Sequence, residues 1–273
     1  MKKSIQQAMR PNAKGHPMLS EVDAERISIK EGKQLGEIYK ATLALETWPE
    51  RYVRNAGSFS CAEQRALLGK KVCVAGCGGL GGYIAQLLAR MGVGHLLLFD
   101  PDTYEASNLN RQVFASSKTL GRAKAETTMQ AIQVINTSTS VMAYKLDVTG
   151  KEAQTHLAGV DLIADGLDTL QDRARLSNLS RELGVPMVHA ALSGFEARVM
   201  VLWPDGPSFG ELFGAEAETT AEETLGTPAV TPAVAAGLQC TQIVRVLTGR
   251  LRFGNSVMVH MDLAEMSTES YFF

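Results

Sequence analysis

Residues 71–124 constrain this chain more than any other stretch: KVCVAGCGGLGGYIAQLLARMGVGHLLLFDPDTYEASNLNRQVFASSKTLGRAK. An apolar run, Val72 to Ala75, enters the turn Gly76-Cys77-Gly78-Gly79-Leu80-Gly81. A helical pattern follows, and a second apolar run ends in Asp100. Glycines spaced G-x-G-x-x-G between a strand and a helix bring backbone amides against a phosphate or ribose. Gly76 permits the tight turn, Gly78 the close backbone approach, and Gly81 the packing of helix on strand. Asp100 stands where a carboxylate takes ribose hydroxyls.

The glycine turn does not discriminate NAD from ATP, but the residues beyond it do. Arg111 falls on a loop after a strand C-terminus, the ligand-binding end of an α/β sheet. Lys124 falls near the start of the next predicted helix, where a cation is disfavoured unless an anion lies close. A forked guanidinium and a point charge together suit a triphosphate. Two solvated surface cations are the competing reading. Asp168 follows the predicted strand 160–165, and a carboxylate facing a triphosphate reaches it through Mg²⁺. Asp165 competes for that role, and the alternative reading makes one of the two acids only a cap for helix 170–183. Asp161 and Asp172 read as surface acids, and Arg173 as locally paired.

The surrounding pattern is β/α alternation. Strands are expected at 71–75, 95–99, 140–145, 160–165 and 186–190, with helices at 80–91, 119–135, 150–157 and 170–183. Gly92, Asn136 and Gly184 sit where helical runs end. Strands separated by such helices make parallel crossovers. Past residue 190 the alternation breaks, with an antiparallel strand at 197–202, a long loop at 204–227, an apolar helix at 229–248 and a last strand at 256–262. The expected fold is a Rossmann-like, three-layer α/β domain with a mixed sheet, parallel then antiparallel. Residues 1–32 read as a polar, partly mobile extension, and 33–47 as a helix stopped by Pro49. The expected division is 1–47, an N-terminal extension with a helix, and 48–273, the nucleotide-binding domain.

A net charge of -2 gives no global field toward nucleic acid or an anionic membrane. No apolar run of membrane-spanning length and no signal peptide are expected. Cys61, Cys73, Cys77 and Cys240 form no Cys-x-x-Cys pair, which fits free thiols in a reducing cytoplasm and no zinc site.

Taken together, G-x-G-G-L-G-G, Asp100-Pro101-Asp102, Ser107-Asn108-Leu109-Asn110-Arg111-Gln112, Gly121-x-x-Lys124 and Asp168-x-x-x-x-Arg173 resemble the ubiquitin-activating superfamily. Within it, residues 48–263 look most like the bacterial MoeB/ThiF/HesA-type adenylyltransferases. The resemblance implies ATP-dependent adenylation of the C-terminal Gly-Gly carboxylate of a small β-grasp sulfur carrier, as in molybdenum cofactor or thiamine biosynthesis. It implies that Asp100 holds the ribose, that Asn108, Arg111 and Lys124 hold phosphates and stabilise the transition state, and that Asp168 binds Mg²⁺ through ATP. Gly76, Gly78, Gly79, Gly81, Asp102 and Gln112 complete the implied nucleotide-binding set. The segment Arg51-Tyr52-Val53-Arg54 resembles the family's R-Y-x-R element, which implies a homodimer in which Arg54 reaches the partner's ATP. An arginine paired locally with an acid such as Glu50 is the alternative.

The chain also departs from the family pattern. Pro207-Ser208-Phe209-Gly210 and the C-terminal Ser270-Tyr271-Phe272-Phe273 lack the cysteines of the family's zinc site. No zinc is therefore expected, and one equivalent per chain would overturn that. Residues 215–227 lack the crossover-loop cysteine, and Cys240 reads as core, so no thioester or persulfide step is expected. Thr169 stands where asparagine is usual. Two rival functions remain at this level. One is an NAD-dependent oxidoreductase with His189 as its candidate base, for which micromolar NADH binding without ATP competition is the mark. The other is a catalytically silent carrier-binding module.

Overall fold

The computed structural model describes residues 1–12, 15–214, 225–253 and 257–272. Its N-terminal part is folded. Helices α1 (Lys2–Ala8), α2 (Glu21–Glu31) and α3 (Leu35–Leu43) accompany a small sheet of β1 (Arg10–Pro11), β2 (Pro17–Leu19) and β3 (Trp48–Pro49). The reading of residues 1–32 as a partly mobile extension is corrected here: Ile5, Leu19, Ala24 and Ile27 are buried with Ile38, Tyr39, Trp48 and Tyr52 in one apolar cluster. Short helices with few apolar residues acquire their stability from such non-local packing. Ser20 caps α2 by accepting from the Asp23 amide, and Gly32 ends it in the left-handed conformation. Arg51 clamps this layer to the rest, bonding Glu21 and donating to the Ile135 carbonyl at 2.8 Å.

After α4 (Cys61–Leu67) comes the main sheet: β4 (Lys71–Ala75), β5 (His95–Phe99), β6 (Ser140–Tyr144), β7 (Leu162–Asp165), β8 (Met187–Ser193), β9 (Glu196–Leu202), β10 (Val257–Asp262) and β11 (Ser267–Phe272). Their order is β11-β10-β9-β8-β7-β4-β5-β6, parallel from β8 to β6 and antiparallel from β8 to β11. This is the mixed sheet the sequence predicts. The intervening helices are α5 (Gly79–Met91), α6 (Lys124–Ile135), α7 (Lys151–Gln154), α8 (Leu170–Glu182), α9 (Phe209–Phe213) and α10 (Val230–Leu247). Period-2 alternation divides the central strands between two cores. Val72, Val74, Leu96 and Leu98 bury against Ile84, Leu88 and Ile243, while Cys73, Ala75, Leu97 and Phe99 share the other face with Leu176 and Leu179.

Three local readings change. α6 begins at Lys124 rather than 119, because the Thr119 hydroxyl accepts from the Ser116 amide and donates to the Phe114 carbonyl, holding a turn there. α9 interrupts the expected loop 204–227, of which 215–224 lie outside the described residues. α10 reaches spanning length, with 18 residues of mean hydropathy 1.2. It packs on α5, β8 and β9, which explains its apolar character as core.

Arg250, just past α10, ties that helix back to α4. It donates to both Glu63 oxygens at 2.6 and 3.0 Å and covers the Phe59 ring 4.7 Å from its centroid. The Arg250 guanidinium and the Ser60 amide hold the Glu63 carboxyl down at about 2. A folded-state value below the unfolded one stabilises the fold above the ordinary range near 4.5, and that stabilisation is lost as pH falls toward about 2. Glu63→Gln is expected to cost about 1 kcal/mol at neutral pH after solvent screening. Urea midpoints of the two proteins should draw together as pH falls below 4.5 and meet at about pH 2; an unchanged gap there would remove this pair as the cause.

Candidate functional site

The sheet reverses its direction of growth between β4 and β7, and a cleft opens at the C-terminal ends of those strands. Gly76 and Gly166 line its floor, and Gly81 packs directly beneath. Gly76 has φ +86° and donates to the Phe99 carbonyl at 2.7 Å. A Cβ on Gly81 would stand 1.8 Å from the Gly76 oxygen, and one on Gly166 would stand 2.9 Å from the Ala75 oxygen. Only bare backbone fits at these crossings. Gly78 is the N-cap of α5 and supplies no side chain, so the first amides of a 13-residue helix are left for a ligand.

Asp100 is 5% exposed, and both its oxygens are engaged. One accepts from the Cys77 amide at 2.7 Å and the other from the Asp102 amide at 2.8 Å. It therefore braces the glycine turn, with further lone pairs for a ligand hydroxyl. Burial pushes its carboxyl above the usual range, against the pull of those donors and Lys124. Lys124 is the first residue of α6, 8% exposed, with Nζ 3.0 Å from the exposed Asp102 carboxylate. Arg111 is half-buried and donates one nitrogen to the Ser107 carbonyl and the Asn110 side chain.

Across the cleft, Asp165 is fully buried and cannot serve as an open ligand. His189 Nδ1 lies 2.7 Å from its Oδ2. Burial holds the His189 imidazole below its usual value, with Asp165 opposing. Neither acid caps α8: Thr169 does, accepting from the Asp172 amide at 3.1 Å. Asp168 is exposed on the loop between, with no hydrogen-bond or ion-pair partner among the described residues.

The family model for the ThiF family matches residues 52–271. The chain belongs to the ThiF family. It is 32% identical over 210 residues to the SAMP-activating enzyme E1 of Haloferax volcanii, covering 76% of this chain and 78% of that one. It is 32% identical over 141 residues to the sulfur carrier protein ThiS adenylyltransferase of Escherichia coli, covering 52% and 56%. It spans 44% of the Xenopus laevis adenylyltransferase and sulfurtransferase MOCS3. In fold it is similar to Escherichia coli MccB, solved with MccA-N7isoASN, with a TM-score of 0.71, 20% identity, and coverage of 82% of this chain and 72% of that one.

In this ThiF-family chain the cleft, about 330 Å³, gathers Gly76, Gly78, Gly79, Asp100, Asp102, Arg111, Gln112, Lys124 and Asp168 of the sequence-predicted set. Three predicted residues stand elsewhere. Gly81 packs beneath the turn. Asn108 is buried outside the cleft wall, its Oδ1 accepting from the Glu105 amide at 3.0 Å to close the turn that carries Arg111. Arg54 is exposed on the turn Glu50–Asn55, makes no ion pair among the described residues, and is absent from the cleft wall; Glu50 instead accepts from the Glu21 amide. Sequence reading missed Asp147, Asp172 and Arg173 in the wall. Asp147 lies past the end of β6 on the ligand edge of the sheet, and that position was the available signal.

The residues fit ATP and Mg²⁺. Among the described residues Gln112 Oε1 is buried without a hydrogen-bond partner, in the same cleft wall as Arg111 and Lys124, and an acceptor so placed is open to a donor on a nucleotide. No group of three or more His, Cys, Asp or Glu converges on a metal position among the described residues. Asp168 is one exposed carboxylate in the cleft wall, which suits only a metal carried in on phosphate oxygens.

Proposed function

We propose that this chain is an ATP-dependent adenylyltransferase that activates the C-terminal Gly-Gly carboxylate of a β-grasp, ubiquitin-like sulfur carrier. The observation that carries the reading is the meeting of Lys124, Arg111, the start of α5 and Asp168 in one cleft at the sheet's switch point. The named activities of the archaeal and ThiS-activating relatives support it. In the proposed reaction a carrier carboxylate oxygen bonds to the α-phosphorus of ATP, the bond to the bridging oxygen breaks, and pyrophosphate leaves. The protein's part is positioning and charge stabilisation. Asp100 takes the ribose and keeps the turn in shape. The α5 amides, Arg111 and Lys124 hold phosphate oxygens and offset the charge that grows on pyrophosphate. Asp168 would hold Mg²⁺, which supplies further neutralisation of the triphosphate. Asn108 acts by fixing the Arg111 turn. His189, buried and bonded to Asp165, is poorly placed as a base for hydride chemistry.

The test is ATP–[³²P]pyrophosphate exchange with a panel of Gly-Gly-ended carriers. Exchange with one carrier, lost in Arg111→Ala and Asp168→Ala, is the expected result and names the pathway. Full exchange in both variants, or ATP binding without exchange under any carrier, would defeat the proposal, the latter in favour of a silent binding module.

We further propose a homodimer in which Arg54 completes the partner's site. Its exposure, and the lack of an ion pair among the described residues, support that role. Arg54→Ala and Lys124→Ala, each inactive alone, should regain activity when mixed, because a mixed dimer holds one intact site. Random reassortment gives about a quarter of wild-type sites. No recovery after verified subunit exchange would put Arg54 in its own chain or in neither site.

A further inference from the structure

A second cavity of about 320 Å³ adjoins the cleft and shares Arg173 and Leu192 with it. It is walled by apolar groups, including Phe209, Phe213, Met200 and Met258, and His189 also lines it. The histidine ring meets the Phe209 ring at 5.0 Å and 71°, which fixes its plane.

From His189 a chain of buried contacts leads to the nucleotide loop. His189 Nδ1 meets Asp165 Oδ2 at 2.7 Å. Asp165 Oδ1 accepts from the Leu167 amide at 2.9 Å. Arg173 forks onto the Leu167 carbonyl at 3.1 and 2.7 Å, while its Nε stands 3.9 Å from Asp165 Oδ2. Gln239 pins the ends of β7 and β8 by donating to the carbonyls of Asp165 and Val188 at 2.7 and 2.8 Å. Both polar groups of Leu167 are thus held by side chains that water barely reaches: Asp165 is 0% exposed and Arg173 3%. The next residue is Asp168.

A buried carboxylate needs donors on both oxygens. The Leu167 amide serves one, and His189 serves the other. Arg173 is committed to the Leu167 carbonyl and stays too far from Asp165 for a hydrogen bond. Without the histidine donor, Asp165 would draw the guanidinium toward itself, and the Leu167 carbonyl would lose its clamp.

We propose that His189 is a positioning residue for the nucleotide site. Through Asp165 and Arg173 it fixes the peptide 166–168 and so sets where Asp168 stands. The second cavity is thereby coupled to the nucleotide loop. Loop positioning is independent of the adenylation reading; only its consequence for Mg·ATP rests on that reading.

Two variants separate the hydrogen bond from the ring. His189→Phe keeps an aromatic ring against Phe209 and removes the donor. His189→Asn places an amide nitrogen on Cγ, where Nδ1 was, and restores it. Hydrogen–deuterium exchange of the Gly166, Leu167 and Asp168 amides is measured on the ligand-free full chain, and Mg·ATP is titrated calorimetrically. His189→Phe is expected to exchange at least about tenfold faster there and to raise the Kd about tenfold, and His189→Asn to lie near wild type in both. If His189→Phe does not fold, Arg173→Lys serves, since it keeps the charge and lacks the fork. Unchanged loop exchange in a folded His189→Phe or Arg173→Lys variant would overturn the proposal. So would equal defects in His189→Phe and His189→Asn, since restoring the donor would then restore nothing; a defect in His189→Asn alone would assign the effect to the ring. Faster loop exchange, reversed by asparagine, in a protein that never binds Mg·ATP would uphold the clamp and defeat the adenylation reading instead.

Discussion

Lys124→Ala is expected to lower carrier-dependent ATP–pyrophosphate exchange by on the order of 10³-fold while leaving thermal stability near wild type. Two placements argue for an effect of that size. The ammonium group stands at the first residue of a 12-residue helix, where the helix dipole repels it. It is also 8% exposed, so its charge acts through a medium that screens less than water. Asp102 balances that charge in the free protein from 3.0 Å away. Its own carboxylate is 65% exposed, so losing the lysine costs it little. The triphosphate would take over Lys124, and the same cation would then face the charge that develops on pyrophosphate. Lys124→Arg should recover only part of the rate, because a fork does not replace a point charge at this depth. Retention of more than about a tenth of wild-type exchange in Lys124→Ala, roughly 1.4 kcal/mol or less of barrier, would remove Lys124 from the machinery.

The β/α register from 71 to 202 was legible because each strand is a short apolar run and most helices end at a glycine or asparagine. The order of the cleft residues was legible for a related reason: Asp100, Arg111 and Lys124 follow one another along a single β–loop–α segment. What sequence could not display is contact across crossovers. Asp165, Arg173 and His189 lie on β7, α8 and β8, and each reads locally as a strand end, a locally paired arginine or a core histidine. Their joint role exists only once the parallel strands are aligned. The N-terminal layer was hidden similarly, since Ile5 and Leu19 have too few apolar neighbours in sequence and find them in Trp48 and Tyr52. β11 escaped because all six of its residues are exposed, so no alternation marks it. Asn108 shows the opposite limit. Its motif implies contact with phosphate, while its buried Oδ1 closes the turn beneath Arg111.

Gly81→Ala should be the most damaging single methyl in the chain's nucleotide turn. The added Cβ would lie 1.8 Å from the Gly76 oxygen and 2.7 Å from its carbon. Both are backbone atoms, so no rotamer change relieves the clash. Gly76 has little room to retreat, because a Cβ on it would itself stand 2.7 Å from the Gly166 oxygen, and its amide is bonded to Phe99 at 2.7 Å. Either the turn opens or α5 lifts from β4, exposing part of the core that holds Val74, Leu80 and Ile84. Overpacking usually costs about 1–3 kcal/mol where side chains can adjust. Here the expected cost exceeds about 3 kcal/mol, a large part of a typical domain's stability, with Mg·ATP binding lost along with it. Gly121→Ala is the matched control: Gly121 has φ +78° with no atom within 4 Å of its Cβ position, so only backbone conformation is penalised, at about 1 kcal/mol. Urea unfolding of the two variants measures the difference. If Gly81→Ala melts as late as Gly121→Ala, then the helix and strand tolerate separation, and the interlocked glycines do not set the geometry of the phosphate turn.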